Sequence, residues 1–430
     1  MNSYIRIFLL LFLSSNIIHA GGTNRLIQFG TKSTSLNSLY YAGNDGISNV
    51  YLNPAGLGLN VSKSFIEFSI FTKTEEQIFD SQYQGLFKSL LDDDINFGAG
   101  LFYSISENIK TAIAIESVVD YKVSWPYVLL FKIGKTSVTT ASDMYNEITT
   151  KRISPSISYK TNKFMLGLSL DVFQVVHNVA YAIGNDKYLK NIGLPTYQLD
   201  MSNKGWGLEY IFGVIYELSN KTRIGLSINS GTSIKLKGTA NSKLYEIRDS
   251  TKSSVGVESE FQNPWRIGFG ILYKINNYIN LNFDFRYNIY SSLNEKIVFT
   301  YDNKKWESNK FNLDTITGFS AGYILQKFKD SFDAGAGIEY KASHNLEIYL
   351  GYRYSSTPNK EETYNLLMPT VNQHSISCGL SYHDSEMTIS GSIIYNMGDS
   401  KKVLNKTNKL FNGLYDIKGV IPMLTIKYIL

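Results

Sequence analysis

Apolar and polar residues alternate with a period of two along most of this chain. Between Ile279 and Ile289, the residues Ile279, Leu281, Phe283, Phe285 and Tyr287 share one parity, while Asn280, Asn282, Asp284, Arg286 and Asn288 take the other. Only a β-strand sends two such sets to opposite faces. The same alternation recurs at Trp265 to Tyr273, at Leu346 to Tyr354 and at Leu166 to Val172. It predicts fourteen strands, near 61–71, 95–104, 109–123, 152–160, 164–176, 206–217, 221–236, 264–275, 278–301, 329–341, 344–356, 372–382, 385–396 and 417–430.

The connections separate two architectures that share this alternation. A soluble sandwich buries its apolar face, whereas a membrane barrel turns that face to lipid and its polar face to a lumen. Tight turns fall at 106–108, 161–163, 219–220, 275–277, 343–344 and 383–384. Between them lie long stretches, near 72–94, 124–151, 177–205, 237–263, 302–328, 357–371 and 397–416. Short turns at one end, long loops at the other and an even strand number are the outer-membrane pattern. The expected fold is therefore all-β: a fourteen-stranded antiparallel transmembrane barrel. Residues 75–91 carry Ile78, Leu86, Phe87, Leu90 and Leu91 at helix-like spacing, which fits either a small loop helix that captures apolar ligands or ordinary loop packing.

Composition supports this architecture. Tyr 31, Phe 24 and Gly 33 are high counts and Pro 8 is low, which suits long strands with aromatic girdles at the membrane interfaces. The single cysteine, Cys378, forms no disulfide within the chain; its parity with Ile376 and Leu380 points it to lipid. A net charge of +5 is too mild for a nucleic-acid footprint. No run after the N-terminus reaches the roughly 20 apolar residues of a helical membrane span.

The N-terminus divides the chain further. Arg6, the apolar run Ile7–Leu13 and the small-residue end at Ala20 have the form of a secretory signal over residues 1–20. Residues 21–60 lack alternation but hold Leu36, Leu39, Tyr40, Tyr41, Val50, Tyr51, Leu52 and Leu57. A solvated tail has few such residues, so the segment is expected to plug the lumen of a barrel formed by 61–430.

Within that segment, the run Asn44 to Leu57 resembles the N-terminal element of FadL/TodX-type outer-membrane transporters for long-chain fatty acids and hydrocarbons. The matching residues are Asn53, Pro54, Ala55 and Gly56. Further stretches are similar, among them Ile153–Lys160, Asn263–Gly268 and Gly351–Pro358. The resemblance implies a lumenal hatch that carries Asn53–Gly56 and shifts to open a path. It also implies a lateral exit where the third strand bends inward, commonly near a glycine. Here that stretch, Val118 to Pro126, has no glycine; Asp120 is the candidate for the gap, since a carboxylate on the lipid face is costly.

Parity puts Arg152, Asp171, Glu209, Arg266, Asp284, Arg286, Asp333, Glu339 and Arg353, among other charged residues, on the lumen side. Two readings stand for them: an internal ion-pair network, or arginines that hold a ligand carboxylate. Arg266, Arg286 and Arg353 are the candidates for the second, with Phe102 as an apolar contact. The histidines lack metal-ligand spacing, and no nucleophile or phosphate-loop motif stands out, so neither a metal, a cofactor nor an enzymatic activity is expected.

Taken together, the residues and the resemblance predict a monomeric channel of the bacterial outer membrane. It would take up hydrophobic small molecules passively, foremost long-chain fatty acids, amid outer-membrane lipids including lipopolysaccharide. The alternative is an accessory barrel of a secretion system.

Overall fold

A computed structural model describes residues 30–36, 38–61, 64–82, 85–89, 94–133, 136–184, 196–244, 254–303, 320, 322–405 and 411–430. The expected signal segment 1–20, and much of the stretch 302–328, lie outside the described residues.

The wall consists of β1 (Ser64–Ser81), β2 (Asp94–Ser104), β3 (Ile109–Ile133), β4 (Thr136–Lys160), β5 (Phe164–Gly184), β6 (Thr196–Glu217), β7 (Thr222–Asn229, resumed at Thr232–Leu244), β8 (Ser254–Asn263, resumed at Trp265–Lys274), β9 (Ile279–Ile289), β10 (Ser331–Lys341), β11 (Leu346–Ser355), β12 (Gln373–His383), β13 (Met387–Gly398) and β14 (Gly413–Ile429). Each is antiparallel to the next. β1 pairs with β14 from Phe65↔Ile429 to Ser81↔Gly413, which closes a fourteen-stranded barrel. Closure leaves no open sheet edge to face lipid. Among the described residues no helix is long and apolar enough to cross a membrane.

Several strands are far longer than the alternation suggested. The stretch 124–151, expected as a loop, is a hairpin between β3 and β4, and 177–205 is largely the ends of β5 and β6. β5 shows why. Odd residues face inward from Met165 to Tyr181. In the lower part the inward set is polar (Ser169, Asp171) and the outward set apolar (Leu166, Leu168). Above Asp171 the alternation is lost: the inward set turns apolar apart from His177 (Phe173, Val175, Val179, Tyr181), while the outward set mixes Gln174 and Asn178 with Val172, Val176 and Ala180. The strand continues although the alternation ends. Of the two readings of 75–91, the helix is not found among the described residues. β1 runs to Ser81 and pairs with a short strand, Gly85–Lys88, at Phe79↔Phe87.

At the tight-turn end, every strand running toward it has tyrosine as its next-to-last residue: Tyr103, Tyr159, Tyr216, Tyr273, Tyr340, Tyr382 and Tyr428. This ring of amphipathic side chains marks one membrane interface.

Two irregularities interrupt the wall. The β2–β3 ladder stops at Phe97↔Ser117. Beyond it, Val119 N donates to Asn96 Oδ1 at 2.6 Å, and the register between β3 and β4 shifts around Asp120. The second lies between β6 and β7, whose pairing passes from Lys204↔Lys237 to Ile211↔Asn229 with no ladder between. There Pro264 interrupts the neighbouring β8, as its missing N–H requires.

Candidate functional site

The N-terminal segment fills the lower lumen. It comprises α1 (Thr31–Ser35), α2 (Asn49–Leu52) and two 3₁₀ turns, Gly46–Ser48 and Pro54–Leu59. Asn53 organises the turn that follows α2. Its backbone is extended (φ −152°), as the residue before a proline prefers. Its Oδ1 accepts from Ala55 N at 3.2 Å, which caps the 3₁₀ turn that Pro54 begins. Its Nδ2 donates to Tyr41 O at 2.6 Å and reaches Val214 O on β6 at 3.3 Å. One side chain thus ties two parts of the hatch to the wall. Asn53, Pro54, Ala55 and Gly56 are all buried.

The remaining attachments encircle the lumen. Ser158 Oγ donates to Ala55 O at 3.3 Å, and Ser169 Oγ to Val50 O at 2.8 Å. Tyr41 N donates to Asp284 Oδ1 at 2.9 Å, and Ser377 Oγ to Ser35 O at 2.9 Å. Lys32 pairs with Glu339, and the Arg152 guanidinium lies 5.0 Å from the centre of the Tyr51 ring.

Inward-facing glycines make room for this segment. A Cβ on Gly213 would fall 2.0 Å from Asn53 Oδ1, and one on Gly225 2.0 Å from Tyr41 O. One on Gly167 would fall 2.1 Å from Ala55 N, and one on Gly379 1.9 Å from Ser35 Oγ. Nothing in the sequence reading singled out these glycines. The signal available was a glycine recurring on the polar parity of several strands.

The upper lumen is closed by a different element. Residues 364–371, between β11 and β12, place Tyr364, Leu366, Leu367 and Val371 in a buried apolar cluster with Phe79, Tyr121, Trp125 and Tyr181. Trp125 Nε1 donates to Leu366 O and Asn146 Nδ2 to Leu367 O, each at 2.8 Å. Lys401 Nζ lies 4.6 Å from the centre of the Tyr364 ring, and burial pushes its ammonium down to about 8. Trp125→Phe keeps an aromatic ring but removes the donor and leaves part of the indole's space unfilled, at a cost of about 1 kcal/mol for the hydrogen bond with a cavity term added to it. We expect faster trypsin cleavage after Lys360, followed by gel; an unchanged rate means that this bond does not hold the loop.

Between these closures lie two adjoining chambers. The upper one is mainly apolar, bordered by Ile148, Leu293, Ile297, Ile324, Leu367 and Met368, with His177 at its edge. The lower one is polar, bordered by Asp120, Arg152, Glu209, Arg266, Arg286 and Asn288. Phe261 and Tyr290 border both.

The sequence of the family described as "Outer membrane protein transport protein (OMPP1/FadL/TodX)" matches residues 34–427. The chain belongs to this family. Among curated proteins none matches directly. Solved structures share the fold at low identity. A FadL homologue of Pseudomonas aeruginosa superposes with a TM-score of 0.74 at 13% identity, covering 94% of this chain and 99% of that one. The toluene transporter TbuX of Ralstonia pickettii gives 0.72 at 16%, covering 94% and 99%. The CymD monoaromatic hydrocarbon channel gives 0.68 at 16%, covering 94% and 98%. As a FadL/TodX-type barrel, the protein resides in the outer membrane, and the similar structures are transporters and channels rather than enzymes.

The candidate ligand residues separate within this FadL/TodX-type lumen. Arg266 and Arg286 border the lower chamber, but each meets a carboxylate: Arg266 Nη2 lies 2.7 Å from Glu209 Oε2, and Arg286 Nε 2.9 Å from Asp333 Oδ2. Arg353 reaches Ser375 Oγ at 3.3 Å and borders neither chamber. Phe102 stacks on Phe65 with centroids 4.7 Å apart and packs with Ile47, Val50 and Tyr51 of the hatch. Asp120 borders the lower chamber at the bulge in β3.

Proposed function

We propose that this barrel carries hydrophobic small molecules passively across the outer membrane. The observation that carries this reading is the mainly apolar chamber under the outer loops, which shares Phe261 and Tyr290 with a polar chamber above the hatch. Cargo is captured in the upper chamber, descends past those two rings, and leaves when the Asn53–Gly56 turn shifts or through the wall beside Asp120. The lateral route is supported by the lost β2–β3 ladder at that level. A bulge serves there in place of the expected glycine, since bulges also bend a strand and end its pairing.

The cargo class follows from the arginines. Long-chain fatty acids need a cation for the carboxylate, and Arg266 and Arg286 are already engaged by Glu209 and Asp333. This favours cargo without an anionic head group over fatty acids. The toluene and monoaromatic channels among the similar structures agree with that preference.

An Asn53→Ala, Pro54→Ala double variant releases the turn from Tyr41 and Val214 and frees the backbone that proline holds. In cells that depend on this protein for growth on a hydrocarbon, we expect uptake of radiolabelled substrate to change by about tenfold, the factor that 1.4 kcal/mol of hatch equilibrium supplies. Correctly inserted variant with wild-type uptake overturns the proposed role of the hatch.

A further inference from the structure

Three arginines and two acids border the lower chamber; with the acids just behind its lining the ion-pair cluster holds more acid than base, and carboxylate oxygens as well as Arg266 Nε lack partners among the described residues. Arg152 sits against Glu116 at 3.0 Å and Asp171 at 3.7 Å, Arg266 against Glu209, and Arg286 against Asp333. With Asp120, three guanidinium groups thus face five carboxylates. Asp120 accepts from Thr150, but its Oδ1 has no hydrogen-bond partner among the described residues. Glu209 Oε1 is in the same condition. Both side chains are buried, at 5% and 2% exposure, and both border the chamber.

A buried carboxylate oxygen without a donor is costly, and a ligand that supplies one recovers that cost. A plain hydrocarbon offers no donor, and a carboxylate adds a like charge beside an ion-pair cluster whose three guanidinium groups are already engaged by carboxylates. A hydroxyl or ammonium group offers what the oxygens lack. The mainly apolar upper chamber, which shares Phe261 and Tyr290 with it, lies where the rest of such a molecule would pack once the chamber widens.

We infer that Asp120 and Glu209 form a subsite for a hydrogen-bond-donating head group, so that the preferred cargo is a hydrocarbon bearing a hydroxyl or amine. This rests on the proposed transport function and narrows it.

Four near-isosteric probes separate the cases: toluene, benzyl alcohol, benzylamine and benzoate. Their affinities for the full-length protein in mild detergent are measured by titration calorimetry. Benzyl alcohol and benzylamine are expected to bind at least about tenfold more tightly than toluene, as one recovered hydrogen bond to a charged group allows, with benzoate weakest. Asp120→Asn, checked for folding by heat-modifiable gel mobility, is expected to reduce the benzylamine-to-toluene affinity ratio at least threefold. If Asp120→Asn does not fold, Glu209→Gln takes its place with the same expected change. Toluene binding as tightly as the alcohol and amine overturns the subsite and leaves the transport reading standing. If none of the four binds and none enters cells, both fail. An unchanged ratio in a folded variant overturns the assignment of these carboxylates.

Discussion

Valine at both Gly213 and Gly225 is expected to unseat the hatch and, in a barrel that also lacks the upper loop 364–371, to open an ion-conducting path. The added Cβ atoms would fall 2.0 Å from Asn53 Oδ1 and 2.0 Å from Tyr41 O, and the hydrogen bond from Asn53 Nδ2 joins those same two residues. Neither contact can be relieved by rotating one flexible side chain: Tyr41 O is backbone, and Asn53 is held by Ala55 N and Val214 O. Overpacking at a single site costs about 1–3 kcal/mol, so two sites suffice to oppose several hatch hydrogen bonds. The wall should tolerate the change, because valine suits strands. The upper loop still closes the lumen, so the test is made in a barrel that also lacks residues 364–371: without both closures a barrel of this size encloses water, and conductance across planar bilayers should rise about tenfold or more over the loop-deleted parent. If the folded double variant stays closed, the glycines do not seat the hatch.

The second large effect concerns the pair Arg286–Asp333. Asp333 has no exposure, and Arg286 is 5% exposed. Besides Arg286 Nε, Asp333 accepts from Asn288 Nδ2 at 3.1 Å and from Ser355 Oγ at 2.5 Å, which links β9, β10 and β11. Arg286→Met keeps most of the volume and strands the carboxylate, which should cost about 3–5 kcal/mol. The double variant Arg286→Met, Asp333→Leu removes both charges and should recover most of that loss. Urea titrations in lipid vesicles give both values. If the single and double variants are equally destabilised, the charge pairing is not what holds these strands.

Alternation and turn spacing revealed the barrel because lipid on one side and a polar lumen on the other impose a strict period of two. The same rule hid the strand ends. In β5 the alternation fades above Asp171, where an apolar cluster fills the inside and the outward residues are mixed, so a continuing strand imitates a loop. The seven tyrosines were in plain view but gain meaning only once the strand directions are known. The hatch was legible from its apolar residues and from Asn53–Gly56. Its seat was not, because a glycine that admits a neighbouring backbone looks like any other small residue until the partner is placed. Parity correctly put Arg266 and Arg286 inside. Parity carries no information on pairing across strands, and it is the pairing with Glu209 and Asp333 that removes them as free carboxylate clamps.

The lumen is obstructed twice, by the hatch below and by the loop around Leu366 and Leu367 above. Two closures in series work as an airlock. Cargo occupies the space between them without either side of the membrane sharing a continuous water column, so the cell keeps its barrier to ions and bulky toxins while the channel is in use. Flux through such a device counts opening events rather than collisions. It therefore saturates as outside concentration rises and climbs steeply with temperature, unlike flow through a standing pore.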